Sequence, residues 1–304
     1  MQVDREWAEE VLAEGAVDAP GGERLLGREP EPFVADQGGE ILAEVTQLAE
    51  QGVRELTLLG QNVNSWGRDL APDVRTDFAE LLRACDAVPG IERIRFTSPH
   101  PKDFRRELIA AMAECDAFCE HAHLPLQSGS TRVLKAMKRT YSRERYLRLA
   151  DEMRRGIPDL ALSTDLIVGF PGETDRDFEE TLEVVEEVGY DSAFTFVFSP
   201  RSGTEAATMP DQVPEDVKQQ RIERLVDLVQ RVAHDRNQAR VGRVEQVLVE
   251  GRSRTDSSRL RGRTRRNTSV NFTGSAAPGE LIDVRIEGAT STTLRGTEQA
   301  AVAA

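Results

Sequence analysis

Residues 163–174, Ser-Thr-Asp-Leu-Ile-Val-Gly-Phe-Pro-Gly-Glu-Thr, join an apolar run to two glycines set around a proline. Gly169 and Gly172 carry no Cβ, so the backbone can turn sharply there and its amides can approach a ligand. Pro171 fixes φ between them. Thr174 reads as a helix N-cap with Asp177 in the capping-box place, and the helix that follows has Phe178, Leu182 and Val185 on one stripe. A strand, a glycine turn and a helix N-terminus can bind a cofactor at the carboxyl end of the strand. The same turn without a ligand is an ordinary β-to-α connection. One such turn does not separate the two readings.

Four more loops strengthen the case for a site. Gly60-Gln-Asn-Val-Asn-Ser-Trp-Gly67, Thr97-Ser-Pro-His-Pro101, His123-Leu-Pro-Leu-Gln-Ser-Gly-Ser130 and Ser199-Pro-Arg-Ser-Gly-Thr204 each follow an expected strand. Singly, each is turn chemistry. Together, amides and hydroxyls gathered at one end of a sheet can hydrogen-bond a polar cofactor, and they are expected to surround a common cavity. His100 and His123 lie at strand ends, but neither has a partner at metal-ligand spacing, so no metal is assigned. Glu179-Glu180 and Glu186-Glu187 read as a solvated helix face.

The elements that must position these loops alternate. Strands are expected at Glu55–Leu59, Ile91–Phe96, Cys119–Leu126, Leu160–Val168 and Ser192–Phe198, with helical periodicity between them. This α/β pattern predicts a parallel sheet or partial barrel with right-handed crossovers. A further helix is expected over about Asp216–Gln238. Beyond Val241 the pattern changes to short strands at Val244–Val249, Leu260–Thr264, Val270–Phe272, Leu281–Ile286 and Thr293–Arg295. Five short strands in so few residues predict a small all-β barrel of OB-like size, a type that often binds RNA. The division expected is 1–38 unassigned, with a possible helix at Asp4–Ala13, then 39–236 as the α/β core and 237–300 as the barrel.

Composition narrows the class. The 304 residues are 39% hydrophobic and 30% charged, with a net charge of −14. That balance argues against wholesale nucleic-acid binding, and no DNA partner is expected. The charge is uneven, however: Asn237–Glu298 holds 11 Arg and 7 acidic residues, a local balance of +4. Within it, Arg252, Arg254, Arg259, Arg261, Arg263, Arg265 and Arg266 stand beside a single acid, Asp256. Guanidinium forks suit phosphate and stack on bases, so this run is the candidate RNA-binding set, a solvated charged face being the bland alternative. Three cysteines give no disulfide framework, and no apolar run approaches membrane length, which together predict a cytoplasmic protein.

Taken in order, Leu58-Leu-Gly-Gln-Asn-Val-Asn64, Arg95-Phe-Thr-Ser-Pro-His-Pro101, His123-Leu-Pro-Leu-Gln-Ser-Gly-Ser130 and Asp165-Leu-Ile-Val-Gly-Phe-Pro-Gly-Glu-Thr174 closely resemble the radical S-adenosylmethionine methylthiotransferases. The resemblance runs from about Gly39 to Arg295, and the Gly60–Asn64 loop is similar to the MiaB branch, which acts on tRNA. It implies a radical-SAM type partial (β/α) barrel missing its first strand, plus a C-terminal TRAM domain that binds tRNA. It also implies 2-methylthiolation of N6-isopentenyladenosine beside the anticodon, with S-adenosylmethionine as methyl donor and as source of a 5′-deoxyadenosyl radical. By this likeness Gly60, Gln61 and Asn62 would lie near the methionyl moiety. His123, Gln127 and Ser128 would face the ribose or carboxylate, and Val168, Gly169 and Phe198 would border the adenine, mainly through backbone groups.

The chain departs from this family where the chemistry begins. The family's radical [4Fe–4S] cluster needs three thiolates in a C-x3-C-x2-C loop, and residues 1–38 contain no cysteine. Cys115 and Cys119 share a C-x3-C spacing, but Ala122 stands where the third would be, and all three cysteines read as packing residues. The isolated chain is therefore expected to be inactive, the cluster ligands being absent. Two alternatives stay open: a non-catalytic tRNA-binding fragment, and a paralogue acting on ribosomal protein S12 or another tRNA adenosine. A monomer is expected if the uncovered sheet edge is shielded.

Overall fold

The computed structural model describes residues 37–68, 76–201, 203–254 and 256–299. The possible helix at Asp4–Ala13 and Ser202 of the last loop lie outside them. Helix α1 (Gln37–Glu50) leads to strand β1 (Glu55–Leu58), α2 (Phe78–Asp86), β2 (Arg93–Phe96), α3 (Arg106–Glu114) and β3 (His121–His123). Helices α4 (Thr131–Ala136) and α5 (Arg143–Gly156) precede β4 (Ala161–Val168), α6 (Asp175–Val188) and β5 (Ser192–Val197). Then come the short α7 (Glu205–Thr208) and the long α8 (Glu215–Gln238).

Local chemistry explains these boundaries. Asp77 and Glu80 form a reciprocal capping box that starts α2, whose Phe78, Leu81, Leu82 and Cys85 are buried. Thr174 and Asp177 do the same for α6, which ends at Gly189 in the left-handed region. Strand β4 is buried along nearly its whole length, as a strand covered on both faces must be.

Strands β1 and β2 pair in parallel, as do β3, β4 and β5 in that order. The two groups meet where Phe118 bridges Ile94, also in parallel. The strand expected over Cys119–Leu126 is thus broken. Its beginning pairs with β2, His121–His123 pairs with β4, and Gln127 bridges Leu166 further along. Pro125 falls in the gap between His123 and Gln127, and it can give no ladder hydrogen bond.

Alternation along the strands separates two faces. Leu56, Ile94, Phe96, Leu162, Leu166 and Val168 pack with the helices in one core. The opposite face carries Glu55, Arg93, Arg95, His121, His123, Ser163 and Asp165, which contact one another in pairs.

The last five strands are β6 (Val244–Arg252), β7 (Leu260–Thr264), β8 (Ser269–Thr273), β9 (Leu281–Ala289) and β10 (Thr293–Glu298). They close a barrel in the order β10-β8-β7-β6-β9 around Val247, Val249, Val270, Phe272, Val284, Ile286 and Leu294. All five expected short strands are present, so the all-β, OB-like reading holds.

The barrel is seated on the polar face of the sheet. The fully buried Arg93 donates to Arg263 O (2.9 Å), Gln246 O (2.7 Å) and Gln246 Oε1 (3.2 Å), and pairs with Glu55 (3.3 Å). Arg95 donates to Thr264 O (2.8 Å) and Arg265 O (2.9 Å). From the other side Arg265 grips Glu120, and Arg266 Nη2 reaches Asp191 Oδ1 at 2.6 Å. Asn237, at the end of α8, donates to Thr290 O and Ser291 O.

Candidate functional site

Because β1 to β5 are all parallel, their following loops lie along one edge, and side-chain contacts tie them together. Asn62 Nδ2 donates to Asp103 Oδ2 at 2.7 Å. Asn64 donates to His100 O and accepts from His100 N. The His100 ring meets Tyr141 edge-on at 5.8 Å, and the Tyr141 hydroxyl donates to Pro125 O at 3.0 Å. Gln127 N donates to Asp165 O and its carbonyl accepts from Ile167 N. Phe198 N donates to Val168 O, and its ring packs against Phe170 at 5.2 Å.

Beside this edge, the polar face of the sheet holds a small network. Ser163 Oγ lies 3.1 Å from His121 Nε2 and 3.0 Å from His123 Nδ1, while Asp165 Oδ2 lies 3.3 Å from His123 Nε2. Burial, reinforced by Arg95 and His123, pushes the His121 imidazole well below its usual range, so it stays neutral at pH 7. Asp165 is 8% exposed, and its Oδ1 is buried with no hydrogen-bond partner. Asn62 Oδ1 is in the same state. Two open acceptors near one edge suit a ligand that presents N–H or O–H groups, because an unpaired buried acceptor is costly.

The expected common cavity is not enclosed. The strands do not close on themselves, and Phe194, opposite Asp165 in the β4–β5 register, is 49% exposed. A cleft of about 450 Å³ lies elsewhere, between α8 and the β9–β10 turn, lined by Asp227, Gln230, Arg231, His234, Thr290 and Ser291.

The residues expected to touch a cofactor fall into two groups. Gly60, Gln61 and Asn62 follow β1, with Gln61 exposed, and His123 stands on the polar face. Gln127 is buried with φ +70, an unusual conformation for a side-chain-bearing residue. Ser128 is fully buried and accepts from Ser130 N. The Val168 side chain is in the core and its carbonyl already receives Phe198 N. Gly169 has φ +76, its amide donates to Glu173 Oε1, and a Cβ there would come within 2.4 Å of Lys218 Cγ. That glycine is required by α8 as well as by the turn.

Sequence reasoning missed Asp165, Ser163 and His121 as site residues, and it missed the α8 clamp. Arg221 Nη1 lies 2.8 Å from Glu173 Oε1, with both side chains almost fully buried. The available signals were the polar alternation of Ser163 and Asp165 within an apolar strand, and Lys218, Arg221 and Arg224 at i, i+3 spacing.

Asp177 anchors the turn electrostatically. Burial opposes its charge, but hydrogen bonds from Arg132, Ser130 and Thr174 outweigh that and hold its carboxyl below the usual range. A carboxyl depressed in the folded state adds stability that is present above the unfolded pKa of about 3.9 and is lost as pH falls through the folded value. Asp177→Asn should therefore be less stable than the parent chain at neutral pH, with the gap narrowing below about pH 4 in denaturant melts. A constant gap would contradict this.

The cysteines do not make a metal centre. Cys85, Cys115 and Cys119 are buried, and burial pushes the first two thiols up to about 11 and about 12 and raises the third. Such thiols resist ionisation, whereas iron needs thiolates. Among the described residues no three His, Cys, Asp or Glu side chains gather to hold a metal. The described residues do not fit a [4Fe–4S] cluster.

The arginine run is divided. Arg265 and Arg266 are committed to the body, and Arg261 and Arg263 both pair with Glu250. Arg259 pairs with Asp256, Arg252 donates to Ser257 O, and Arg254 is exposed. Sequence proximity hid the difference between arginines that weld domains and those that face solvent.

Residues 27–185 match the Radical SAM superfamily and residues 238–297 the TRAM domain. The tRNA-2-methylthio-N(6)-dimethylallyladenosine synthase of Clostridium botulinum (strain Hall) is 52% identical over 259 residues, covering 85% of this chain and 57% of that enzyme. The tRNA-2-methylthio-N(6)-dimethylallyladenosine synthase 1 of Mycobacterium marinum is 53% identical over 267 residues, covering 82% and 50%. The chain thus spans about half the length of the curated relatives it matches. Among solved structures, coproporphyrinogen III oxidase from Escherichia coli overlays with a TM-score of 0.44 at 15% identity, covering 65% of this chain and 46% of that one. With parallel strands, a glycine-turn edge and a family match over more than half its length, the chain belongs to the Radical SAM superfamily and carries a C-terminal TRAM domain.

Proposed function

We propose that this chain is the cofactor-binding and RNA-binding part of a tRNA methylthiotransferase of the MiaB branch, 2-methylthiolating N6-isopentenyladenosine beside the anticodon. Half-identity to proteins bearing that name supports the reaction class. The observation that carries the cofactor assignment is the buried, unpartnered Asp165 Oδ1 beside the strand-end loops. S-adenosylmethionine presents amine and hydroxyl donors, which suit Asp165 and Asn62, with Gly60, Gln61 and Gln127 around them. When bound, it supplies a methyl group and the adenosyl group from which hydrogen abstraction starts. Asp165 accepts a donor, His123 orients that carboxylate, and the Tyr141 and Tyr146 hydroxyls brace the carbonyls of Leu124 to Leu126. Action on the anticodon stem-loop, as a cytoplasmic monomer, goes with this reading.

The chain's own thiols do not suit a cluster, so we also propose that it does not complete the transfer alone. Anaerobic reconstitution with iron and sulfide tests this. The expected result is no stoichiometric cluster absorbance and no 2-methylthio product in tRNA; a stoichiometric, active cluster would overturn it. A tRNA-binding module without chemistry is the second reading, favoured by the buried thiols.

A further inference from the structure

Most of the arginines in the 252–266 run already have an anionic or carbonyl partner, which leaves open where the barrel carries free positive charge. Arg295 on β10 is exposed, and its guanidinium has no ion-pair or hydrogen-bond partner among the described residues. Its guanidinium lies against Gly288, where a Cβ would come within 2.8 Å of Nη2. A side chain at 288 would lift it off the barrel.

Strands β8 and β10 run in parallel with Ser269 opposite Thr293, Asn271 opposite Arg295, and Thr273 opposite Thr297. Val270, Phe272, Leu294 and Gly296 alternate with these residues and are buried, so the six face outward. They form a plate of four hydroxyls, one amide and an unpaired guanidinium, without an acid among them. Arg261 on β7 is the partner of Asn271 on its other side, so the two arginine positions stand two strands apart, about 10 Å.

We propose that this outward face of β8 and β10, centred on Arg295 and Asn271, grips the RNA phosphate backbone, whereas Arg265 and Arg266 hold the barrel to the body. The proposal rests on the reading of the chain as a tRNA-binding protein and assigns the residues that do it. Hydroxyl, amide and guanidinium donors are the groups that contact phosphates and 2′-hydroxyls. The plate has no apolar side chain to enter a membrane. On a chain of net charge −14, RNA contact has to be made where local charge allows it.

The test is fluorescence anisotropy of the full chain with a labelled anticodon stem-loop RNA over a range of potassium chloride concentrations. Arg295→Gln is expected to weaken binding several-fold and to lower the salt slope by about one, as loss of one phosphate contact does. Asn271→Ala should weaken binding with the slope unchanged. Arg265→Gln, with folding checked by thermal melting, should lower the melting temperature and leave the slope unchanged. If the parent chain binds RNA and both Arg295→Gln and Asn271→Ala match it in affinity and slope, this face is wrong. If the parent chain binds no RNA, the tRNA reading itself fails.

Discussion

Replacing Arg93 by Ala is expected to cost about 3–5 kcal/mol of stability, the range for removing one partner from a buried ion pair. The guanidinium is fully buried and serves three oxygen acceptors on the barrel plus Glu55 on the neighbouring strand. Without it Arg263 O and Gln246 O lose a donor, and Glu55 keeps only Arg95 as a buried counter-charge. Lysine should not rescue the loss, since a single ammonium cannot span that fork of acceptors. Calorimetry of the parent chain should show body and barrel melting together. In Arg93→Ala the barrel should separate or the whole transition should fall, and an unchanged melt would contradict the seating described above.

Asp165→Ala is expected to lower affinity for an adenosyl ligand at least tenfold while the fold survives. A hydrogen bond to a charged acceptor contributes about 1.5–3 kcal/mol, which corresponds to roughly 10- to 100-fold in affinity. The carboxylate is nearly buried, one oxygen is held by His123, and the other waits for a donor. His123 keeps its contact with Ser163 in this variant, so the loss reads the carboxylate itself. Melting of Asp165→Ala close to the parent chain, together with weakened binding in isothermal titration, is the expected pair of results. Undiminished binding would remove Asp165 from the site.

Apolar periodicity made the architecture legible in the sequence. The alternation of helices and strands, the five short strands of the barrel and the Thr174–Asp177 cap all depend on local spacing, and all are present. What local spacing cannot carry is partnership across the fold. Arg93 and Arg95 read as ordinary residues of a short strand, yet they bond carbonyls about 170 residues away. Arg265 and Arg266 read as RNA contacts because their neighbours in sequence are arginines, but their neighbours in space are Glu120 and Asp191. The Cys119–Leu126 segment read as one strand, because nothing in its composition says that the chain changes partner there from β2 to β4. Asp165 was given no role of its own inside an apolar strand, where burial reads as packing until the empty acceptor is seen.

The most direct test is a two-dimensional amide NMR titration of the chain with S-adenosylmethionine. Binding at the strand-end edge predicts that amides of residues 60–62, 127–128, 165–169 and 198 shift together and saturate on one curve. Shifts confined to the cleft between α8 and the β9–β10 turn, or no saturable shift at all, would contradict it.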